Sequence, residues 1–139
     1  MARIRVDVVR VYDSPSRSGP ERRVLVDRLW PRGMKKEAID LDEWAKDLAP
    51  STELRRWYGH EPERFDEFAH RYRAELAHEP AVSVIGRLLR EARPRPLVLL
   101  TATRDVERSG AEVLRLVLQE ATLHQAPHVE GGSRADDIR

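Results

Sequence analysis

The sequence has 139 residues, with 25 Lys and Arg against 24 Asp and Glu, and it contains no cysteine. This length fits one domain, and the even charge balance excludes a polycation that coats nucleic acid without specificity. The absence of cysteine excludes disulfide bonds, a thiolate nucleophile and any metal or iron–sulfur site that needs a thiolate. Because no apolar run reaches the roughly 18 residues of a membrane span, we expect a cytoplasmic protein without a membrane segment.

Two strands are predicted near the N-terminus. Residues 3–12 alternate between apolar and polar side chains, as a strand with one buried face does. Residues 13–20 are rich in Ser, Pro and Gly, which predicts a turn. Residues 23–29 form the second predicted strand, and its apolar run at residues 24–26 indicates cover on both faces. The connection is short for a parallel crossover, so a parallel pair and a hairpin both stay open.

Helices are predicted along the middle of the chain. A capping-box pattern of Asp40 and Glu43 predicts a short helix over residues 40–50. The next helix, over residues 51–59, has a Ser at its predicted N-cap and a Gly at its end. Two further segments carry apolar side chains at helical spacing, namely residues 62–76 and 85–92.

The C-terminal third predicts one more strand and one more helix. The run Leu97–Leu100 is short, apolar and continuous, which predicts a central strand buried on both faces. Asp105 is the predicted N-cap of the last helix. Residues 126–139 are polar and Gly-rich, which predicts a mobile tail after a single domain of residues 1–125. The elements together predict an α/β fold with a small central sheet flanked by helices.

The strand order decides which loops share a crevice. If the second and third predicted strands are parallel, their carboxyl ends lie at the same edge of the sheet. Residues 27–32 then lie near Thr101, Thr103 and Arg104. Ligands bind at such an edge in open α/β sheets.

The loop Asp27–Lys36 has the composition of an anion-binding site. Arg28, Arg32 and Lys36 lie close together in sequence beside a glycine whose backbone can approach a ligand. Guanidinium and ammonium groups in such a setting suit a phosphate or a carboxylate better than an apolar ligand. Trp30, in the same loop, offers a surface on which a ligand can stack. We therefore predict that this loop binds an anionic small molecule.

Two side chains are candidates for handling a proton. Asp27 lies at a strand end, and His60 follows a helix-ending glycine in a constrained loop. A charge pair between Asp27 and Arg28 that only orients the loop is an equal alternative for the carboxylate. Trp44 and Trp57 lie on apolar helix faces and are predicted to pack in the core rather than to stack on a ligand.

The sequence lacks the short motifs by which several large enzyme classes are identified. It contains no Walker A motif, no Gly-rich dinucleotide fingerprint, no HExxH and no GxSxG. Of its five His, two have helical spacing, His124 and His128, and they lie near the predicted tail. We therefore predict neither a cofactor nor a metal.

Residues from the second predicted strand to the helical region match the sequence pattern of a known family. They are Val24–Gly33, Lys36, Trp44, Ala49–Ser51, Leu54–Arg55, Trp57, His60, Pro62, Phe68, Arg71–Tyr72 and Glu75–Leu76. In these positions the sequence resembles the YeaO-like family, within domain-of-unknown-function family 488, from about Val11 to Leu118. The resemblance implies a three-layer α/β fold and no established activity. It also brings in Arg55 and Arg71 as further ligand-binding candidates.

The sequence departs from that family pattern at one place. Where the pattern has an Asn-His pair at the start of the last helix, this chain has Ser109–Gly110. A role that depends on that His is therefore not carried over. The hypothesis that remains is a binder or an enzyme acting on a phosphorylated or carboxylated small molecule at the Asp27–Lys36 loop. The alternatives are a nucleic-acid-binding module, which the charge balance disfavours, and a protein-interaction domain that docks through the same loop.

Overall fold

The computed structural model describes the backbone of residues 4–128 and the side chains of residues 4–122. The strands are β1 (Val6–Arg10), β2 (Arg22–Leu25), β3 (Glu43–Trp44) and β4 (Leu97–Thr101). The helices are α1 (Thr52–Tyr58), α2 (Phe65–Leu76), α3 (Ala81–Ala92) and α4 (Gly110–His128). Short 3-10 turns lie at Lys36–Ala38, Lys46–Leu48, Pro62–Arg64 and Val106–Arg108. The four strands form one sheet in the order β1-β4-β2-β3, and every pair is parallel.

The position of β4 between β1 and β2 settles how the first two strands are related. In the register of the sheet, Leu99 of β4 lies opposite Val8 on one side and Val24 on the other. The two N-terminal strands are thus parallel and do not touch as a pair, so the hairpin alternative is wrong. All five residues of β4 are buried, which confirms the prediction of a central strand covered on both faces.

The sheet has a helical face and a face covered by irregular segments. On the helical face, the core includes Leu97 and Leu99 of β4 and side chains from all four helices, such as Leu54, Phe68, Leu88 and Leu114. On the other face, a smaller core contains Val98 and Leu100 and is covered by side chains from loops, such as Val11, Trp30, Met34 and Ile39. The chain is therefore a single-domain three-layer α/β fold, as predicted, with a third layer made of loops and a 3-10 turn.

A buried arginine holds the irregular layer together. The side chain of Arg23 on β2 is 1% exposed. Its Nε donates to the carbonyl of Asp40 at 2.6 Å and its Nη2 to the carbonyl of Ser14 at 2.6 Å. The carboxylate of Glu21 lies 3.5 Å from its Nη1 and balances the buried charge. The two loops that cover this face are thus tied to the sheet through one guanidinium.

The predicted helix over residues 40–50 is wrong. The structure has β3 there, followed by the turn Lys46–Leu48. The reason is that both capping-box carboxylates bind distant groups instead of helix N–H groups. Asp40 accepts from the backbone N–H of Arg17 at 2.7 Å, and Glu43 pairs with Arg87 on α3 at 2.6 Å. Segment 43–44 is then free to pair with the edge of β2.

The predicted ends of α1 are confirmed. Ser51 accepts from the backbone N–H of Leu54 at 3.1 Å, as an N-cap does, and its hydroxyl donates to Glu75 on α2 at 2.6 Å. Gly59 ends the helix in the left-handed region, with a φ of 52°.

The start of α4 differs from the prediction. Asp105 does not cap the helix, because its carboxylate pairs with Arg108 at 3.0 Å in the preceding 3-10 turn. Ser109 takes the capping role and accepts from the N–H of Glu112 at 3.1 Å. The backbone helix continues through residues 126–128, and the rest of the predicted tail lies outside the described residues. None of the helices in the described part of the chain is long and apolar enough to cross a membrane.

Candidate functional site

A cleft of about 490 Å³ lies at the carboxyl ends of β2 and β4. Because these strands are adjacent and parallel, the loops that follow them meet at one edge of the sheet. Residues 26–32 and 101–105 line the cleft, together with the start of α4 and part of α1. The structure thus brings together the two loops that the sequence analysis placed at one crevice.

Asp27 joins the ends of the two strands. Its carboxylate accepts from the hydroxyl of Thr101 at 2.7 Å and from the backbone N–H of Ala102 at 2.7 Å. Burial raises the pKa of Asp27 above its usual value, and the two hydrogen bonds oppose that rise. No ion pair joins Asp27 to Arg28 or to another described residue. The carboxylate therefore acts as a clamp between β2 and β4, bound to neutral donors.

Arg28 is held in place by carbonyl groups. Its Nε donates to the carbonyl of Pro50 at 3.2 Å, and its Nη2 lies 3.4 Å from the carbonyl of Ala49. These contacts fix the guanidinium against the loop that precedes α1. They do not neutralise its charge, because carbonyl groups are dipoles and not anions. Arg28 thus contributes a positioned positive charge to the wall of the cleft.

Three more arginines line the cleft: Arg32, Arg55 and Arg104. All three are exposed. None of their guanidiniums has an acceptor or a carboxylate among the described residues, whereas most other arginines of the structure are paired. The other cleft carboxylate, Asp105, is paired with Arg108. The cleft therefore has an excess of positive charge.

The N-terminus of α4 forms another part of the wall. Ser109, Gly110 and Ala111 line the cleft, and the backbone N–H groups of Gly110 and Ala111 meet no acceptor within residues 4–128. A Cβ at position 110 would lie 3.2 Å from Pro50 and 3.4 Å from Tyr72, so glycine lets the helix start pack closely on these residues. Free N–H groups and the positive end of the helix dipole favour an anion here.

Trp30 and His60 also line the cleft. The indole N–H of Trp30 donates to the carbonyl of Met34 at 2.6 Å, and its ring packs edge-on against Trp44 at 5.3 Å. Trp30 is thus half-buried and fixed. His60 is exposed and has a positive φ of 59°, and its ring lies 5.9 Å from that of Tyr58.

Comparison with known proteins identifies the family. The sequence profile of the inactive DUF488-N3 subclade matches residues 5–135. The chain belongs to the YeaO-like DUF488 family. It is similar to the uncharacterized protein Rv3073c of Mycobacterium tuberculosis, with 47% identity over 114 residues, which cover 82% of this chain and 93% of the relative. It is also similar to the uncharacterized protein YeaO of Escherichia coli, with 44% identity over 106 residues, covering 76% and 89% of the two chains. No solved structure matches the chain.

Two candidates in this DUF488 chain lie away from the cleft. Lys36 begins the 3-10 turn Lys36–Ala38 and is exposed. Arg71, on α2, pairs with Glu67 at 2.8 Å, and its guanidinium lies 4.4 Å from the centre of the Trp57 ring. The structure therefore does not bring these two cations together with Arg28 and Arg32. Over the part of the chain that the structure describes, no three His, Asp or Glu side chains gather as a metal ion would need.

Sequence reasoning did not assign a binding role to Arg104 or to the start of α4. Arg104 was placed at the crevice only because it follows β4. Residues Ser109–Gly110 stood out only as a departure from the family pattern. The signal for Arg104 was its place directly after the central strand, where parallel sheets present their ligand-binding loops.

Proposed function

We propose that the DUF488 cleft binds a phosphorylated or carboxylated small molecule without converting it. The observation that carries this proposal is the set of unpaired guanidiniums, those of Arg32, Arg55 and Arg104, in one cleft beside the fixed Arg28. Guanidinium groups match the planar, paired oxygens of carboxylates and phosphates through two parallel hydrogen bonds.

The charges of the cleft support an anionic ligand. Four guanidiniums line it, against two carboxylates, Asp27 and Asp105. Asp105 already has its own arginine outside this set, and Asp27 is bound to the neutral donors of Thr101 and Ala102. An incoming anion therefore meets little competition for the guanidiniums. The free N–H groups at the start of α4 add hydrogen-bond donors that also favour an anion.

Binding without turnover is supported by the state of the cleft hydroxyls. Five hydroxyl groups line the cleft, and four of them, those of Tyr12, Tyr58, Thr101 and Ser109, donate to protein acceptors. The fifth, that of Thr103, has no hydrogen-bond partner among the described residues. A nucleophile needs an adjacent base that takes its proton. Of the five hydroxyls, only that of Thr101 donates to a base, and this base, Asp27, holds the strand ends together. The DUF488-N3 subclade whose profile matches this chain is described as inactive, which supports the same proposal.

Thermal unfolding with inorganic phosphate and with citrate tests the proposal. At a concentration of about ten times the dissociation constant, a ligand adds about 1.4 kcal/mol of stability, which raises the midpoint by about 3–6 °C for a chain of this length. Arg32→Ala and Arg55→Ala should each reduce this gain. Raised salt should reduce it too, because it screens the exposed guanidiniums.

Arg56→Ala is the matched control. Arg56 is the neighbour of Arg55 on α1, is also exposed, and does not line the cleft. It should keep the full gain in midpoint. If neither anion stabilises the wild type, or if Arg56→Ala loses as much of the gain as Arg55→Ala, the anion-binding proposal is wrong.

A further inference from the structure

The cleft that carries the arginines also has an apolar lining. Val26, Tyr58, Phe68 and Ala111 are buried side chains that border it. The guanidiniums of Arg32, Arg55 and Arg104 therefore line the same cleft as apolar side chains that are already shielded from most of the solvent. A bare inorganic ion would use the charges and make no use of the apolar lining.

Leu29 adds an exposed apolar side chain to the same cleft. It is 63% exposed, the highest value among the large apolar side chains that are exposed in the described part of the chain. Its exposure does not come from a loose loop. Arg28 on one side is held by the carbonyls of Ala49 and Pro50, and Trp30 on the other by the carbonyl of Met34. Leu29 is thus held out into the cleft by two anchored neighbours.

The size of the cleft agrees with an organic ligand. Pockets for small organic molecules have volumes of roughly 300–1,000 Å³ and combine an apolar lining with a few placed polar groups. The cleft, at about 490 Å³, falls in this range. Covering Leu29 would remove exposed apolar surface from water, and this gain is added to that of the charge contacts.

We propose that the ligand is an organic anion in which the acidic group is attached to an aromatic or other apolar body. This inference rests on the proposed function, since the acidic group is the part that the arginines bind. The acidic group faces Arg32, Arg55 and Arg104, and the apolar body lies against Leu29 and the wall formed by Tyr58 and Phe68.

Matched probe pairs test this inference by isothermal titration calorimetry on the full chain. One pair is phenyl phosphate with inorganic phosphate, and the other is benzoate with acetate. In at least one pair the aromatic member should bind about tenfold more tightly, as expected for partial burial of one ring. Phenol, which has the ring without the acidic group, should bind more weakly than either aromatic anion.

Substitution of Leu29 tests whether the tighter binding of the aromatic anions arises in the cleft. Leu29→Ala should reduce the affinity for the aromatic anion about threefold and leave the affinity for the small anion unchanged. Leu116→Ala is the control, because Leu116 is an exposed leucine on α4 that does not line the cleft. It should change neither affinity.

The outcomes separate this inference from the proposed function. If the small anions bind and the aromatic ones bind no more tightly, the inference is wrong and the anion site stands. An aromatic gain that survives Leu29→Ala in full would also overturn the inference, since the ring would then lie elsewhere. If none of the four anions binds, or if phenol binds as tightly as phenyl phosphate, the proposed function itself fails.

Discussion

Replacing Leu99 by alanine tests the central position of β4. The side chain is completely buried, faces the helical core and lies between Val8 of β1 and Val24 of β2. Leucine-to-alanine changes in cores cost about 2–5 kcal/mol, and the cost rises with the cavity that remains. Because strands on both sides hold the backbone of β4, the site cannot collapse easily, and we expect about 3–5 kcal/mol.

Urea unfolding followed by far-UV circular dichroism measures this loss. With a dependence on urea of about 2 kcal/mol per molar, a loss of about 4 kcal/mol lowers the unfolding midpoint by about 2 M. Leu116→Ala is the matched control, since Leu116 is 39% exposed, and its midpoint should fall by less than about 0.5 M. If Leu99→Ala shifts the midpoint no more than this control does, β4 is not the central strand and the sheet order is wrong.

Three further substitutions probe the site and its supports. Because burial raises the pKa of Asp27 above 3.8, the folded chain binds a proton more readily than the unfolded chain. The free energy of unfolding of the wild type, relative to that of Asp27→Asn, should therefore rise as the pH falls through the raised pKa towards about 4. Urea melts at several pH values measure this difference between the two proteins, and a difference that does not change with pH would contradict the prediction. Arg23→Met should cost about 3–5 kcal/mol in urea melts, because it removes the donor to the carbonyls of Asp40 and Ser14 and leaves the buried carboxylate of Glu21 without its ion pair. Adding Glu21→Gln should recover part of the loss. Ser51→Ala should cost about 1–2 kcal/mol through the lost N-cap of α1, and a cost near zero would show that this helix start does not need the hydroxyl.

The elements that sequence reasoning found were those fixed by local patterns. The run Leu97–Leu100 has no polar side chain, so it fits only a strand that is covered on both faces. Ser51 and Gly59 mark the ends of α1 because their preferences act within one helical turn. In each case the information lies within a few residues of the element itself.

The strand order and β3 depend on contacts between distant segments. Nothing near β1 in the sequence indicates that its neighbour is β4, more than 80 residues away. The pattern of Asp40 and Glu43 is a valid helix start in isolation, but Arg17 and Arg87 bind these two residues instead. The local pattern therefore fails to predict the structure where a distant donor, a backbone N–H or a guanidinium, competes for the capping side chain.

The candidate site was only partly visible in the sequence for the same reason. Arg28, Arg32 and Trp30 lie in one contiguous loop, so their composition alone suggested an anion site. Arg55 and Arg104 join them only because α1 and the end of β4 fold against that loop. Lys36 is closer to Arg32 in sequence than either of them, yet it lies outside the cleft.

The hydrogen-bond partners of Asp27 and Arg28 explain why the cleft keeps its positive charge. Asp27 and Arg28 are adjacent, and a direct pair between them would have neutralised one cation of the site. Instead, the carboxylate accepts hydrogen bonds from the hydroxyl of Thr101 and the N–H of Ala102. The guanidinium donates to the carbonyls of the loop before α1. Both side chains are thus fixed by neutral groups, which position a charge without cancelling it.

Thr101→Val should weaken this arrangement, since it removes the hydroxyl that binds Asp27 and leaves the shape of the side chain almost unchanged. We expect a loss of about 1–3 kcal/mol in urea melts, and a weaker gain in midpoint with phosphate, because a freed Asp27 carboxylate competes with the anion for Arg28. If Thr101→Val instead keeps the phosphate gain of the wild type while losing stability, Asp27 only joins the strands and does not govern the charge of the cleft.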